Sequence, residues 1–370
     1  MKAKGCVGLG CVGALGTSIM AILALAAIGT WLEPSGTPAP DASAVEMPQG
    51  FARSDDAAGF GLSFSFRDHA MRGYQVKCRV ARADLERELE SFGFQEDEVW
   101  GLLNTRTREL LEAEVRRRDL APYFRVETHG RGGYSWQWRV EAGIPEPEHG
   151  RAVRAARELG SWIENSFSQQ QRAVKAALVA PYGFSVAPDG GLVIDYARLV
   201  ESGTGTLADC HRALVQAGAD LNGRQRLSQL QAFFQELEYE VPPLREDGRY
   251  TLGLWVPTEV MVRGRGDCDS KSVALSSVLR RSGQRVLFIV LPKHALIGVE
   301  MRPGPGDNYV RLGNRYFVLA DPAGPARIPP GGQAISGSYQ YVLIEPLANR
   351  VLSTDFPVVP GGGRFAGPLL

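Results

Sequence analysis

The sequence has no excess of charge of either sign, and this bears on its partners. Lysine and arginine together number 41, aspartate and glutamate also number 41, and the pI is about 7.0. A domain that binds nucleic acid usually carries a basic patch, so we predict no nucleic-acid partner. The basic run at residues 116–118 is better explained as the solvated end of a helix.

Cysteine and histidine are scarce, with five of each in 370 residues. Cys268, His69 and His129 have no companion at the spacing of zinc ligands. We therefore expect no metal and no cofactor, and interpret His69 and His129 as surface or core residues. A structural metal site at Cys268, His294 and Asp321 ranks last among the hypotheses.

Charged residues are absent from a long apolar run at residues 5–32. A membrane span needs about 20 apolar residues, and the core of a cleavable signal only about 7–15, so we predict a transmembrane anchor in the lipid bilayer. Lys2 and Lys4 precede it, which places the N-terminus in the cytoplasm. The folded part then lies outside the cell (inner) membrane; secretion after cleavage near residues 24–26 is the alternative.

Cys78 and Cys210 belong to the part predicted to be exported. An oxidising compartment permits a disulfide between them. The sequence does not place the two near each other, so their pairing stays open.

Composition divides the rest of the chain into two domains between flexible ends. Residues 33–50 are rich in proline, alanine and serine and are typical of a linker. Strand and helix patterns over 51–145 predict a small α+β module of unknown function, and prolines at 145 and 147 mark a break. A second domain is predicted over 146–356, with helices at 150–178 and 227–237, and a proline- and glycine-rich tail follows at 357–370.

Within the second domain, a glycine-rich turn brings a cysteine to the start of a helix. Residues 264–272 read GRGDCDSKS and lead into an apolar helical pattern. Asp267 is a plausible N-cap, and Cys268 follows in the first turn. A helix N-terminus and a nearby imidazolium both lower a thiol pKa, so the pattern predicts an activated nucleophile at Cys268.

A histidine and an aspartate follow at the ends of two predicted strands. His294 opens the strand at 294–300, and Asp321 closes the strand at 316–320. If these strands pair antiparallel, the two side chains become neighbours, and the carboxylate would orient the imidazole toward the thiol. The alternative is a buried cysteine, a structural histidine and an ordinary turn.

These residues resemble the transglutaminase-like superfamily of papain-like thiol enzymes. The sequence GDCDSKS at 266–272, His-Ala at 294–295 and Asp-Pro at 321–322 match the pattern of its bacterial members. The upstream stretches 233–239 and 255–260 also resemble the family, so the likeness covers about 225–325. It implies an α+β fold in which the nucleophile helix packs on an antiparallel sheet.

By this resemblance, Cys268 is the nucleophile, His294 the general base and acid, and Asp321 the orienting carboxylate. The backbone N–H of Cys268 would be one oxyanion donor, and Gln235 a second donor or a structural residue. The substrate implied is a peptide or isopeptide amide in a peptide or protein.

Two positions depart from the family pattern. Asp269 stands where animal members have an aromatic residue, and Leu296 stands where many members have tryptophan. The sequence therefore does not predict the aromatic walls that shelter an acyl-enzyme from water, and hydrolysis is expected at least as much as amine transfer. A catalytically inactive binding or scaffold protein on the same fold is the alternative.

Overall fold

A three-stranded antiparallel sheet and two helices form the first part of the computed structural model. The structure describes residues 50–138, 148–335 and 339–345. Strands β1 to β3 follow one another in the sheet, with β2 in the middle. A second hairpin follows the two helices. The elements are β1 (Phe51–Asp56), β2 (Gly59–Arg67), β3 (Gly73–Ala81), α1 (Arg82–Ser91), β4 (Phe94–Gln95), α2 (Glu96–Arg117), β5 (Phe124–His129) and β6 (Gly133–Trp138).

Helices dominate the middle of the chain. A continuous helical stretch runs over α3 (Glu148–Trp162), a π-helical turn (Ile163–Phe167) and α4 (Ser168–Val179), which agrees with the helix predicted at 150–178. A 3₁₀ turn (Ala180–Tyr182) and the β7–β8 hairpin follow. The remaining elements are β7 (Phe184–Val186), β8 (Leu192–Ile194), α5 (Tyr196–Thr206), α6 (Ala208–Ala217), α7 (Gly223–Glu236), β9 (Glu238–Tyr239), β10 (Arg245–Glu246), β11 (Arg249–Tyr250), α8 (Pro257–Arg263) and β12 (Arg265–Gly266).

The last part places one buried helix against a five-stranded antiparallel sheet. The helix is α9 (Cys268–Arg281), and the strand order in the sheet is β15-β16-β14-β13-β17. The helix begins and ends at the residues that its caps predict, with Asp267 at the N-cap and Gly283 in the left-handed conformation after its end. The strands are β13 (Val286–Leu291), β14 (His294–Glu300), β15 (Tyr309–Leu312), β16 (Arg315–Ala320) and β17 (Gln340–Ile344).

One hydrophobic core joins these parts. It includes side chains from Phe51 in β1 to Ile344 in β17, and Leu275 and Val278 of α9 lie fully buried within it. Every helix and strand named above belongs to one compact unit. The α+β class with antiparallel sheets is confirmed. The domain boundary predicted at 145/146 lies outside the described residues and stays a prediction.

Several sequence predictions also concern residues that the structure does not describe. They are the anchor at 1–32, nearly all of the linker at 33–50 and the tail at 357–370. In the part of the chain that is described, no helix has both the length and the apolar character to cross a membrane. The Cys78–Cys210 pairing that the sequence left open is present: a disulfide joins β3 to α6, with the two Cα atoms 4.9 Å apart.

Candidate active site

The glycine turn before α9 has the conformation that the sequence predicts. Gly264 has φ of +67°, and a Cβ there would lie 2.5 Å from the ring of Phe51, so the turn requires glycine. The Asp267 carboxylate accepts a hydrogen bond from the Ser270 N–H at 3.0 Å and caps the helix. Cys268 therefore stands at the N-terminus of α9, with 8% of its surface exposed.

The pairing of β14 with β16 brings His294 to Asp321. The two strands are antiparallel, with Ile297 opposite Ala320, so the start of one lies beside the end of the other. His294 Nε2 lies 2.8 Å from Asp321 Oδ2, and Asp321 Oδ1 accepts from the Ala323 N–H at 3.0 Å. This hydrogen bond raises the pKa of His294, against the opposing effect of burial. Because an ionised carboxylate only accepts, Nε2 carries the proton and Nδ1 is left as an acceptor.

The sulfur of Cys268 lies at the first residues of β14. Hydrogen bonding from the Ala295 backbone favours its thiolate, and Ser272, one turn along α9, donates to the Ala295 carbonyl at 3.4 Å. Ala295 directly follows His294. Packing of α9 on β14 thus places the thiol beside the backbone that carries the imidazole.

The electrostatics around the thiol differ from the sequence-based expectation. Burial first, and then the carboxylates of Asp269 and Asp267, raise the pKa of Cys268 to about 12. The Asp269 carboxylate accepts from the sulfur at 3.4 Å. The prediction of a lowered thiol pKa from the helix N-terminus is therefore wrong, because desolvation and two adjacent negative charges outweigh the helix dipole. At neutral pH the resting side chain is a thiol.

Asp269 is held in place by a tyrosine that sequence reasoning missed. Tyr196, at the start of α5, donates from its hydroxyl to Asp269 Oδ2 at 2.7 Å, and its ring stacks on Phe288 of β13 at 4.2 Å. The position that carries an aromatic residue in animal members of the resembled family is thus a fixed carboxylate beside the thiol. No local signal in the sequence links residue 196 to residue 269.

Gln235 acts on the backbone near the site. Its amide nitrogen donates to the carbonyls of Asp321 and Ile328 at 2.7 and 2.9 Å, and its Oε1 pairs with His69 Nε2 at 2.9 Å. Both amide hydrogens are used, which leaves none for an oxyanion. Of the two roles that the sequence left open for Gln235, the geometry favours the structural one. Gln231, one turn earlier, donates to the same two carbonyls.

A buried lysine supports the opposite side of the site. The Lys271 ammonium has no exposed surface and donates to the carbonyls of Leu237 and Ala323, each at 2.7 Å. Burial lowers its pKa to about 8, against the pull of nearby carboxylates. Lys271 belongs to the family-like sequence at 266–272, but only the structure shows that it ties the end of α7 to the loop after Asp321.

One group of side chains has the composition of a cation site. Ligand atoms of Asp267, Cys268 and Asp269 lie within 4.8 Å of one another. Asp267 already caps α9 and Asp269 already accepts from Tyr196, so the hydrogen bonds of the site explain both carboxylates. The metal site considered from the sequence, at Cys268, His294 and Asp321, stays a hypothesis.

No protein-family model, no curated protein and no solved structure matches the chain.

Proposed function

We propose that this protein is a transglutaminase-like thiol enzyme, tethered to the membrane by residues 5–32, that acts on peptide or isopeptide amides through an acyl-enzyme at Cys268. The observation that carries the proposal is the 2.8 Å hydrogen bond between His294 and Asp321 at the strand ends next to the nucleophile helix. The packing of α9 on an antiparallel sheet supports a papain/transglutaminase-like core.

The reaction begins with proton transfer, because the resting thiol is not ionised. His294 Nδ1 accepts the thiol proton as the sulfur attacks the amide carbonyl, and Asp321 stabilises the imidazolium that forms. The carbonyl oxygen becomes an oxyanion near the Cys268 N–H at the helix N-terminus. The C–N bond then breaks, His294 returns its proton to the leaving amine, and a thioester remains on Cys268.

The second half of the reaction releases the acyl group. His294 removes a proton from water or from an acceptor amine as it attacks the thioester carbonyl carbon. The C–S bond then breaks, the acyl group leaves as an acid or an amide, and His294 returns the proton to the sulfur. Asp269 is partly buried and places a carboxylate beside the Cys268 sulfur, where an aromatic wall would otherwise stand. A charged residue at this point admits water, so we favour hydrolysis over amine transfer.

A catalytically inactive scaffold is the second candidate function. The high thiol pKa favours it, because a cysteine with a pKa of about 12 is a poor nucleophile unless a base assists it. The two proposals differ in what His294 does: in the enzyme its loss removes the reactivity of Cys268, and in the scaffold it changes nothing.

The test is site-specific labelling of the full-length protein with iodoacetamide at pH 7.5, with peptide mapping of the Cys268 peptide. In the enzyme, His294→Ala and Asp321→Asn slow the alkylation of Cys268, and Cys268→Ala removes it. His149→Ala, at a partly buried position in the first turn of α3, is the matched control and is expected to leave the rate unchanged. Equal rates in the wild type and in His294→Ala would refute base assistance and favour the scaffold.

A further inference from the structure

Gln235 is committed elsewhere, so the oxyanion needs a different second donor. When Cys268 is ionised, its charge shifts the pKa of three described side chains: Tyr196, Lys271 and Tyr239. The Tyr196 hydroxyl donates to Asp269, and the buried Lys271 ammonium donates to two backbone carbonyls. Among these three, Tyr239 is the one whose hydroxyl donates to no carboxylate or carbonyl in the described part of the chain.

The backbone fixes Tyr239 beside the nucleophile. Strand β9 pairs in parallel with β12, which places Tyr239 opposite Gly266, two residues before Cys268. The flanking residues hold this register, because the N–H groups of Glu238 and Glu240 donate to the carbonyls of Gly264 and Gly266 at 3.1 and 3.3 Å. The ring therefore extends from a strand that is tied directly to the glycine turn.

The side chain of Tyr239 lies near the first turn of α9 and also faces solvent. Lys271 Nζ lies 5.8 Å from its ring centroid, and 45% of its surface is exposed. Burial first, and then the charges of an ionised Cys268 and of Asp267, raise the pKa of Tyr239 to about 12. The phenol therefore keeps its proton at neutral pH, next to the sulfur and open to an approaching substrate.

We infer that Tyr239 is a catalytic residue, whose phenol O–H donates to the oxyanion that forms when Cys268 attacks an acyl group. This inference rests on the proposed function. In the resting enzyme the phenol faces the thiol. As the sulfur bonds to the acyl carbon it becomes a poor acceptor. The phenol O–H then turns to the oxygen on that carbon, and the Cys268 N–H donates to the same oxygen. No proton leaves Tyr239 at any step; it only donates a hydrogen bond.

Two reagents separate this role from an effect on the thiol itself. Acylation by p-nitrophenyl acetate passes through a tetrahedral oxyanion: the S–C bond forms, the bond to p-nitrophenolate breaks, and the thiol proton passes to His294. Alkylation by iodoacetamide displaces iodide at a saturated carbon and forms no oxyanion. Both reactions are followed at Cys268 in the full-length protein by peptide mapping.

We expect Tyr239→Phe to slow acylation by about 100-fold, the usual effect of losing one oxyanion donor, and to change alkylation by less than about threefold. Tyr250→Phe, in the β10–β11 hairpin and packed on Phe94 at 5.6 Å, is the matched control and is expected to change neither rate. Because the phenylalanine keeps the ring, we expect the Tyr239→Phe protein to melt as the wild type does.

Equal losses in both reactions would overturn the inference, because Tyr239 would then act on the thiol alone. Unchanged rates in both reactions would overturn it as well. If Cys268 of the wild type is alkylated but not acylated, the proposed function is refuted, and the inference about Tyr239 with it. In that case the Tyr239→Phe protein and the wild type behave alike.

Discussion

The charge of Asp269 offers the sharpest test of how the thiol is controlled. Its carboxylate accepts from the Cys268 sulfur at 3.4 Å and is, after burial, the largest cause of the raised thiol pKa. Asp269→Asn removes the charge and keeps an oxygen that can still accept from Tyr196. We expect this variant to ionise Cys268 at a lower pH than the wild type does.

The expected size follows from Coulomb's law. Two unit charges 3.4 Å apart interact by about 1.2 kcal/mol in bulk water and by about 5 kcal/mol at an effective dielectric constant of 20. Asp269 is only partly buried, so the lower value is the safer one, and it corresponds to about 1 pKa unit. At a pH well below the pKa, the thiolate fraction then rises about tenfold.

The assay is the rate of iodoacetamide alkylation of Cys268 as a function of pH in the full-length protein. We expect the pH midpoint to move down by about 1 unit or more, with faster alkylation at pH 8. Asp209→Asn, at a half-exposed carboxylate on α6, is the matched control and is expected to leave the midpoint in place. A midpoint for Asp269→Asn that equals the wild type would refute the electrostatic account of the thiol.

Three further predictions concern stability. Burial raises the pKa of Glu88 from 4.5 to about 7, so between these two pH values the folded state holds a proton that the unfolded state has released. Stability is therefore lost as the pH rises through this range. Glu88→Gln should remove up to about 3 kcal/mol of the difference in unfolding free energy between pH 5 and pH 8, measured by urea titration. Replacing Cys78 and Cys210 by alanine opens a loop of 132 residues and should cost at most about 5 kcal/mol in urea unfolding relative to the oxidised wild type; the reduced wild type should match the double variant. Gln231→Ala and Gln235→Ala each leave the two shared carbonyls one donor, whereas the double variant leaves none; its loss of stability, about 1–3 kcal/mol per carbonyl, should exceed the sum of the single losses, and strict additivity would contradict this sharing.

The elements nearest Cys268 were predictable because their local signals agree. Asp267 and Gly283 mark the two ends of α9, and the observed caps lie at both. The bounds predicted for the strand that His294 opens are those of β14. Antiparallel pairing then follows from short connections, and it is the pairing that brings His294 to Asp321.

Helices α5 and α6 were not predicted, and the reason is packing. The end of α5 reads ESGTGT, with two glycines and two threonines that disfavour an isolated helix. A Cβ at Gly203 would lie 2.6 Å from Pro257, so the small residue allows α5 to approach α8 closely. Helical stability here comes from a tertiary contact, which no window of the sequence reveals.

The electrostatics of the site were beyond the sequence for a similar reason. The rule that a helix N-terminus lowers a thiol pKa is local, whereas burial and the placement of Asp269 are products of the whole fold. The partner of Gln235 is His69, which is 166 residues away along the chain. Long-range contacts of this kind decide which of two roles a residue can take, and pattern alone leaves both open.

The contact between Gly264 and Phe51 has a consequence for how this protein can be divided. The ring of Phe51 fills the space above the glycine turn that delivers Cys268. The carboxylate of Glu88, also from the amino-terminal part, accepts from the Thr258 N–H at 2.9 Å at the start of α8, the helix before that turn. A shortened protein that began at residue 146 would lose both contacts and expose the glycine turn before Cys268 to water. The amino-terminal part thus forms one side of the Cys268 site, and we expect its removal to destabilise the turn that positions Cys268.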